Sequence, residues 1–212
     1  MSSDLLDRLA EDASPVRRAN AALFIGVYAG GFVLSLLLVI VGMKVRPDLV
    51  QAGSSLIFAF KILAPGIVAA AGAILLLRAG QPGRTSIASA GQLAFLGCAL
   101  FLVPLVTAFI AAPAAEADMM TNTTWMRDCL TGITMATFPT WAAALFWLRK
   151  SAPTRLERAS WIAGLASAAA GTTAFALHCP YDSFAYVGTW YLAAILGIAA
   201  LTRLVLPRFI RW

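Results

Sequence analysis

Three cysteines, one histidine and one lysine set within an apolar run are the residues through which this 212-residue chain could do chemistry. Cys129 lies near the start of one long apolar run. Cys179 lies at the end of the next, in Leu177-His178-Cys179-Pro180-Tyr181-Asp182-Ser183. Two thiols at the same end of neighbouring hydrophobic segments can form a disulfide or a reversible redox pair where that end meets an oxidising compartment. Such a crosslink would close a long loop. The same thiols with His178, Asp182 and Asp128 offer a mixed thiolate, imidazole and carboxylate set to a metal ion. Adjacent His and Cys are a weak metal motif, and the metal, if any, is unknown. Inert buried thiols are the plain alternative. That is also the reading for Cys98, which sits among Leu96, Gly97, Ala99 and Leu100. No residue orients a Cys/His couple and no oxyanion site is apparent, which argues against a thiol protease. No cofactor and no enzyme activity are expected.

Lys61 is the one charge deep inside an apolar segment, and an ionisable residue there is a functional candidate. It either snorkels outward past Phe58 and Ala59 or turns inward to a carboxylate such as Asp128 or Asp182. No Asp or Glu within an apolar run offers a proton-relay partner, which weakens the case for a pump.

These residues need elements to hold them, and composition says which. Apolar residues make up 60% of the chain and charged residues 12%, and mean hydropathy is +0.81. Soluble domains are nearer half apolar and a quarter charged. The expectation is an all-α polytopic membrane protein, a six-helix bundle with short loops. The spans are expected at about 20–43, 53–77, 87–110, 125–148, 159–177 and 184–206, each close to the roughly 20 residues a bilayer requires. Residues 1–19 form a separate arm, and 20–212 the membrane domain.

Charge sets orientation. Arg8, Arg17, Arg18, Arg78, Arg84, Arg149, Lys150, Arg155, Arg158, Arg203, Arg208 and Arg211 fall on one side, twelve of the 16 basic residues. Lys44, Arg46 and Arg127 fall on the other. The positive-inside rule then places both termini in the cytoplasm. The net charge of +6 reads as this bias and as a headgroup contact with the lipid bilayer, with no direct nucleic-acid binding.

Pro65, Pro104 and Pro139 are expected to kink three spans. Thr154 with Glu157 reads as a capping box, and Asp182 or Ser183 can cap the last span. Small residues at 66–73 and at Gly164, Ala168, Gly171 and Thr172 mark faces for close helix packing. A homodimer through the same faces stays open. Trp125, Trp190 and Tyr191 at one end, and Trp147 and Trp212 at the other, read as interfacial anchors.

The arm carries Leu5, Leu6 and Leu9 on one face of a short helix, with Val16 extending the stripe. Pro15 separates it from the first span. A ten-residue helix is marginal alone, so its apolar face needs a cover. One reading lays it on the membrane surface or on loops. The other docks it into the groove of a partner protein. Its acidic residues, Asp4, Asp7, Glu11 and Asp12, disfavour an anionic membrane surface.

Ala176-Leu177-His178-Cys179-Pro180-Tyr181-Asp182-Ser183, then Trp190-Tyr191 and the terminal Arg211-Trp212, resemble the NrsF-type family of bacterial six-span membrane proteins. Those are negative regulators, or anti-sigma factors, of extracytoplasmic-function sigma factors of the sigma-F type. Lys61, Cys129, Pro139 and the start, Leu5-Leu6-Asp7-Arg8-Leu9-Ala10 through Pro15-Val16-Arg17-Arg18, also resemble the family pattern. The likeness runs nearly the full length. It departs at Tyr181, where the family typically has Glu.

The resemblance implies a protein of the bacterial inner membrane whose arm, through Leu5, Leu6, Leu9, Val16 and Arg17, sequesters such a sigma factor. It implies that Cys129 and Cys179, with His178 and Asp182 beside them, sense metal or oxidative stress and release the partner. The alternatives are a small solute or ion transporter built on Lys61 and, more remotely, a membrane redox enzyme using the two cysteines.

Overall fold

A computed structural model describes residues 20–81, 88–111, 113–151, 153 and 155–210. Among these residues all regular structure is helical. Helix α1 covers Ala21–Lys44, its last seven residues, Leu38–Lys44, wound as a π-helix. A short α2 (Leu49–Ala52) precedes α3 (Leu56–Ala79). Then come α4 (Ala88–Ala99), α5 (Leu102–Ala111), α6 (Pro113–Thr121) and α7 (Thr123–Lys150). Helix α8 (Leu156–Phe175) is followed by α9 (Phe184–Val205), with a π segment at Val187–Tyr191, and by α10 (Pro207–Ile210).

Side chains start several of these helices, two of them not singled out from sequence. The Asn20 side chain accepts from the Ala22 amide at 2.9 Å, and Asn122 accepts from Thr124 and Trp125 at the head of α7. Ser183, rather than Asp182, caps α9 by accepting from the Tyr186 amide at 3.1 Å. Thr154 lies outside the described residues, and Arg155 precedes α8 without a side-chain cap.

Five segments are long and apolar enough to cross a membrane: Ala21–Lys44, Leu56–Ala79, Ala94–Ala111, Thr123–Lys150 and Phe184–Val205. The segment expected as a span at 159–177 forms α8, a 20-residue helix that is not among the five apolar enough to cross a membrane. It is the hub of the bundle, packed on α3, α7 and α9. Ala163, Gly164, Ala166, Ser167, Ala168, Ala169, Ala170 and Gly171 are all buried in it. A helix enclosed by other helices meets little lipid, so small residues that admit close neighbours replace large apolar ones. The small-residue faces work in this way. A methyl added at Gly72 would come 2.9 Å from the Ala166 Cα, and one at Gly164 would come 2.7 Å from the Ala199 Cα.

The structure corrects several expectations. The third span is not one helix. The chain turns at Leu100 and Phe101 between α4 and α5, because Pro104 has no N–H for the Leu100 carbonyl four residues earlier and its ring crowds that carbonyl. Pro65 and Pro139 sit inside unbroken helices. The connection before α7 is partly the helix α6 rather than a bare loop. Trp147 and Tyr191 are not interfacial anchors. Both are buried, Trp147 donating its indole N–H to the Leu76 carbonyl at 3.3 Å. Trp212 lies outside the described residues.

Two apolar clusters result. One joins Phe24, Leu76, Trp147, Ala163 and Leu206 near one end of the bundle. The other runs through the middle to the opposite end and includes Cys129, Phe175, Cys179, Tyr186 and Tyr191.

Candidate functional site

The sequence leaves α8 at Phe175 and reaches α9 at Phe184 through a tight irregular segment. Successive turns bring the His178 and Cys179 amides back to the Phe175 carbonyl at 2.9 and 3.1 Å. Opposite lies the end of α1. Lys44 has φ 69°, a left-handed conformation that costs a non-glycine residue about 1 kcal/mol or more. That turn aims its carbonyl at His178 Nδ1, 2.7 Å away, and the Arg46 amide bonds the Leu177 carbonyl at 3.1 Å. The segment after α8, through Leu177 and His178, and the end of α1, through Lys44 and Arg46, are therefore stitched together.

Between them and α7 lies a cleft of about 710 Å³, lined among others by Lys44, Arg46, Cys129, His178, Cys179 and Tyr186. Cys129 and Cys179, expected as a pair from sequence, do share this cleft, although each is only 1% exposed. Both are free thiols, as is half-buried Cys98 on α4, which does not line the cleft. Tyr186 donates to the Trp125 carbonyl at 2.8 Å, and Trp125 stacks on Tyr181 with centroids 4.7 Å apart. Gly132 leaves room for Phe175 beside the thiols, where a side chain would collide with the ring.

Asp182 stands behind the cleft in a cage of charges. Lys61 is fully buried, so it does not snorkel. Its ammonium donates to the Cys179 carbonyl at 2.8 Å, the Tyr181 carbonyl at 3.0 Å and Asp182 Oδ1 at 3.0 Å. Of the two carboxylates expected as its partner, Asp182 is the one it reaches. Asp128 lines the cleft at an exposed position. Arg46, 5% exposed, forms fork-to-fork pairs with Asp182 (3.0 and 2.7 Å) and Asp48 (2.7 and 2.7 Å) and donates to the Cys179 carbonyl at 3.2 Å.

All three ammonium donors and all five guanidinium donors are thus engaged. Two cations face two carboxylates, which is how a buried charge becomes affordable. Hydrogen bonds from Arg46 hold the Asp48 carboxyl at about 2 and raise the Arg46 pKa further. Burial pushes the Asp182 carboxyl up, and hydrogen bonds from Arg46 and Lys61 outweigh it, leaving it below the ordinary value. Burial raises the Tyr181 phenol. At the rim, Ser183 donates to Glu116 of α6.

With Asp182 committed to the cage, the mixed metal set does not assemble. Among the described residues no group of three or more His, Cys, Asp or Glu side chains could hold a metal ion. The arm residues Leu5, Leu6, Leu9, Val16 and Arg17 lie outside the described residues. Sequence reasoning missed Arg46, which it counted only toward orientation. The signal was there: an Arg two residues before Asp48, on the same side as Lys61 and Asp182, where carboxylates balance the cations.

A family model for negative regulators of sigma F (NrsF) matches residues 9–212. The chain is 31% identical over 219 residues to the anti-sigma-F factor NrsF of Caulobacter vibrioides, covering 100% of this chain and 99% of that protein. It is 31% identical over 217 residues to a probable anti-sigma-F factor NrsF of Azospira oryzae, again covering 100% and 99%. No solved structure matches.

Proposed function

The chain belongs to the NrsF family of negative regulators of sigma F, and from that premise we propose that it is a membrane-bound anti-sigma factor whose partner is released by a chemical change at Cys129 and Cys179. In this reading α8 is the fifth of six spans, sheltered by α3, α7 and α9, and both termini face the cytoplasm of a bacterial inner membrane. The arm of residues 1–19 holds an extracytoplasmic-function sigma factor through Leu5, Leu6, Leu9, Val16 and Arg17.

One observation carries the reading. The arm joins α1 at Asn20, and the far end of α1, Lys44, lines the cysteine cleft. The 24 residues of α1 at about 1.5 Å each make it roughly 36 Å long. A partner site and a thiol site at opposite ends of one membrane-length helix is the layout a transmembrane signal needs. His178, fixed by the Lys44 carbonyl, and Asp182, fixed by Lys61 and Arg46, would hold Cys179 in place. Oxidation of the two thiols to a disulfide would release two protons and pass two electrons to an oxidant such as a peroxide, which is reduced to water.

The transporter reading rested on six spans, Lys61 and the prolines within the spans, and the engagement of all the Lys61 donors within the protein favours a structural role for that lysine. Capture of the sigma factor by the detergent-solubilised full chain tests the proposal. It should require residues 1–15 and should differ between reduced and oxidised protein. Undiminished capture by a chain lacking residues 1–15 would refute the arm assignment. Redox-independent capture would refute the thiol switch.

A further inference from the structure

The Cys179 carbonyl accepts from two cations at once, Lys61 Nζ at 2.8 Å and Arg46 Nη1 at 3.2 Å. Lys61 comes from the second turn of α3, and Arg46 from the connection after α1. They therefore grip, by its main chain, the residue whose thiol walls the cleft. Lys61 spends all three donors on residues 179–182 alone.

Any shift of that segment leaves a fully buried ammonium short of acceptors where little water can replace them. A network saturated in this way has no cheap half-open form. It is closed or it is broken, which is the behaviour of a two-state element.

What moves with Lys61 is α3. Four residues beyond it, Pro65 has no N–H for the Lys61 carbonyl, so the helix ladder is loosened at the turn that carries the lysine. At its other end α3 meets the apolar cluster of Phe24, Leu76 and Trp147. The Leu76 carbonyl accepts from Trp147, and a methyl at Gly80 would come 2.7 Å from the Trp147 indole nitrogen. Cage, helix and Trp147 cluster form one continuous packed path from the thiol end of the bundle to the end where α1 begins.

We propose that Lys61 and Arg46 are positioning residues for Cys179: their cage locks residues 179–182 to α3, and its opening carries a change at Cys179 along α3 toward the opposite face. The proposal rests on the switch reading above.

It is tested on the full chain in native membrane vesicles, with Lys61→Met and Asp182→Asn as separate variants. A water-soluble maleimide is applied and the labelling rates of Cys179 and Cys98 are read by peptide mass spectrometry, alongside sigma-factor capture after solubilisation. Local opening should speed Cys179 labelling about tenfold or more, leave Cys98 on α4 unchanged, and shift capture in the direction produced by oxidising the wild type. An unchanged Cys179 rate in both variants would overturn the cage. Equal acceleration at Cys179 and Cys98 in both variants would reduce it to a fold requirement and also overturn it. Faster Cys179 labelling with capture unchanged would overturn the relay along α3. If the wild type captures no sigma factor in either redox state, the switch reading fails, while the Cys179 to Cys98 comparison still decides whether the cage holds the segment.

Discussion

Asp182 is the carboxylate on which two buried cations depend. Replacing it with alanine leaves Lys61, with no exposed surface, and Arg46, nearly buried, to share Asp48. Removing one partner from such a pair costs about 3–5 kcal/mol, so Asp182→Ala should lower the thermal midpoint sharply. Asp48, with its side chain 46% exposed, should matter much less. The same residues set a pH dependence. Asp48 and Asp182 both have depressed carboxyl values. Their contribution is therefore complete above the ordinary value of about 3.9 and is lost as pH falls through the folded values, near about 2 for Asp48. Stability should stay flat on the neutral side of that window and fall within it. The fall should shrink when Asp48 and Asp182 are both changed to Asn. A melting series against pH checks this, and an identical fall in the double variant would contradict it.

Helix α8 teaches the lesson at the level of elements. It is not among the helices apolar enough to cross a membrane, yet it occupies the centre. Its glycines set how near the neighbours come. A methyl on Gly171 would lie 2.6 Å from both the Thr137 Cα and the Thr137 nitrogen, a clash with backbone that cannot rotate away. Gly171→Ala should therefore destabilise by about 1–3 kcal/mol. Gly30 on α1 meets nothing within 4 Å, so Gly30→Ala should be neutral or stabilising by up to about 1 kcal/mol. Unfolding in mixed detergent compares the two, and equal effects would mean that α1 and α8 are not packed as described. Pro104 shows a second element-level effect. The same residue type that leaves α3 and α7 continuous separates α4 from α5.

At the scale of the whole molecule, the prediction concerns sidedness. With six spans and both termini inside, cysteines introduced at Val50 and at Phe209, both exposed and both outside the membrane-length helices, should react with an impermeant reagent from opposite sides. Val50 should label in intact cells and Phe209 only after lysis, and labelling of both from the same side would remove α8 as a span. Deleting residues 1–15 should leave this pattern intact, because it removes no part of the membrane-length helix Ala21–Lys44.

Much of this was legible in one dimension. Run lengths of apolar residues located the membrane-length helices, since bilayer thickness dictates them. The side-chain oxygens of Ser183 and the spacing of Gly164 and Gly171 marked a cap and a packing face, because both are local. Cys129 and Cys179 could be placed at one end of the bundle by depth alone. Tertiary structure decided what depends on which helix stands beside which. It drew Lys61 to Asp182 rather than Asp128, and it brought Arg46, 133 residues away from Cys179 in sequence, onto the Cys179 carbonyl. It also took Trp147 out of the interface and placed α8 at the hub. Hydropathy is a property of a segment and survives in the sequence. The neutralisation of a buried charge is a property of three segments meeting, and no single one of them records it.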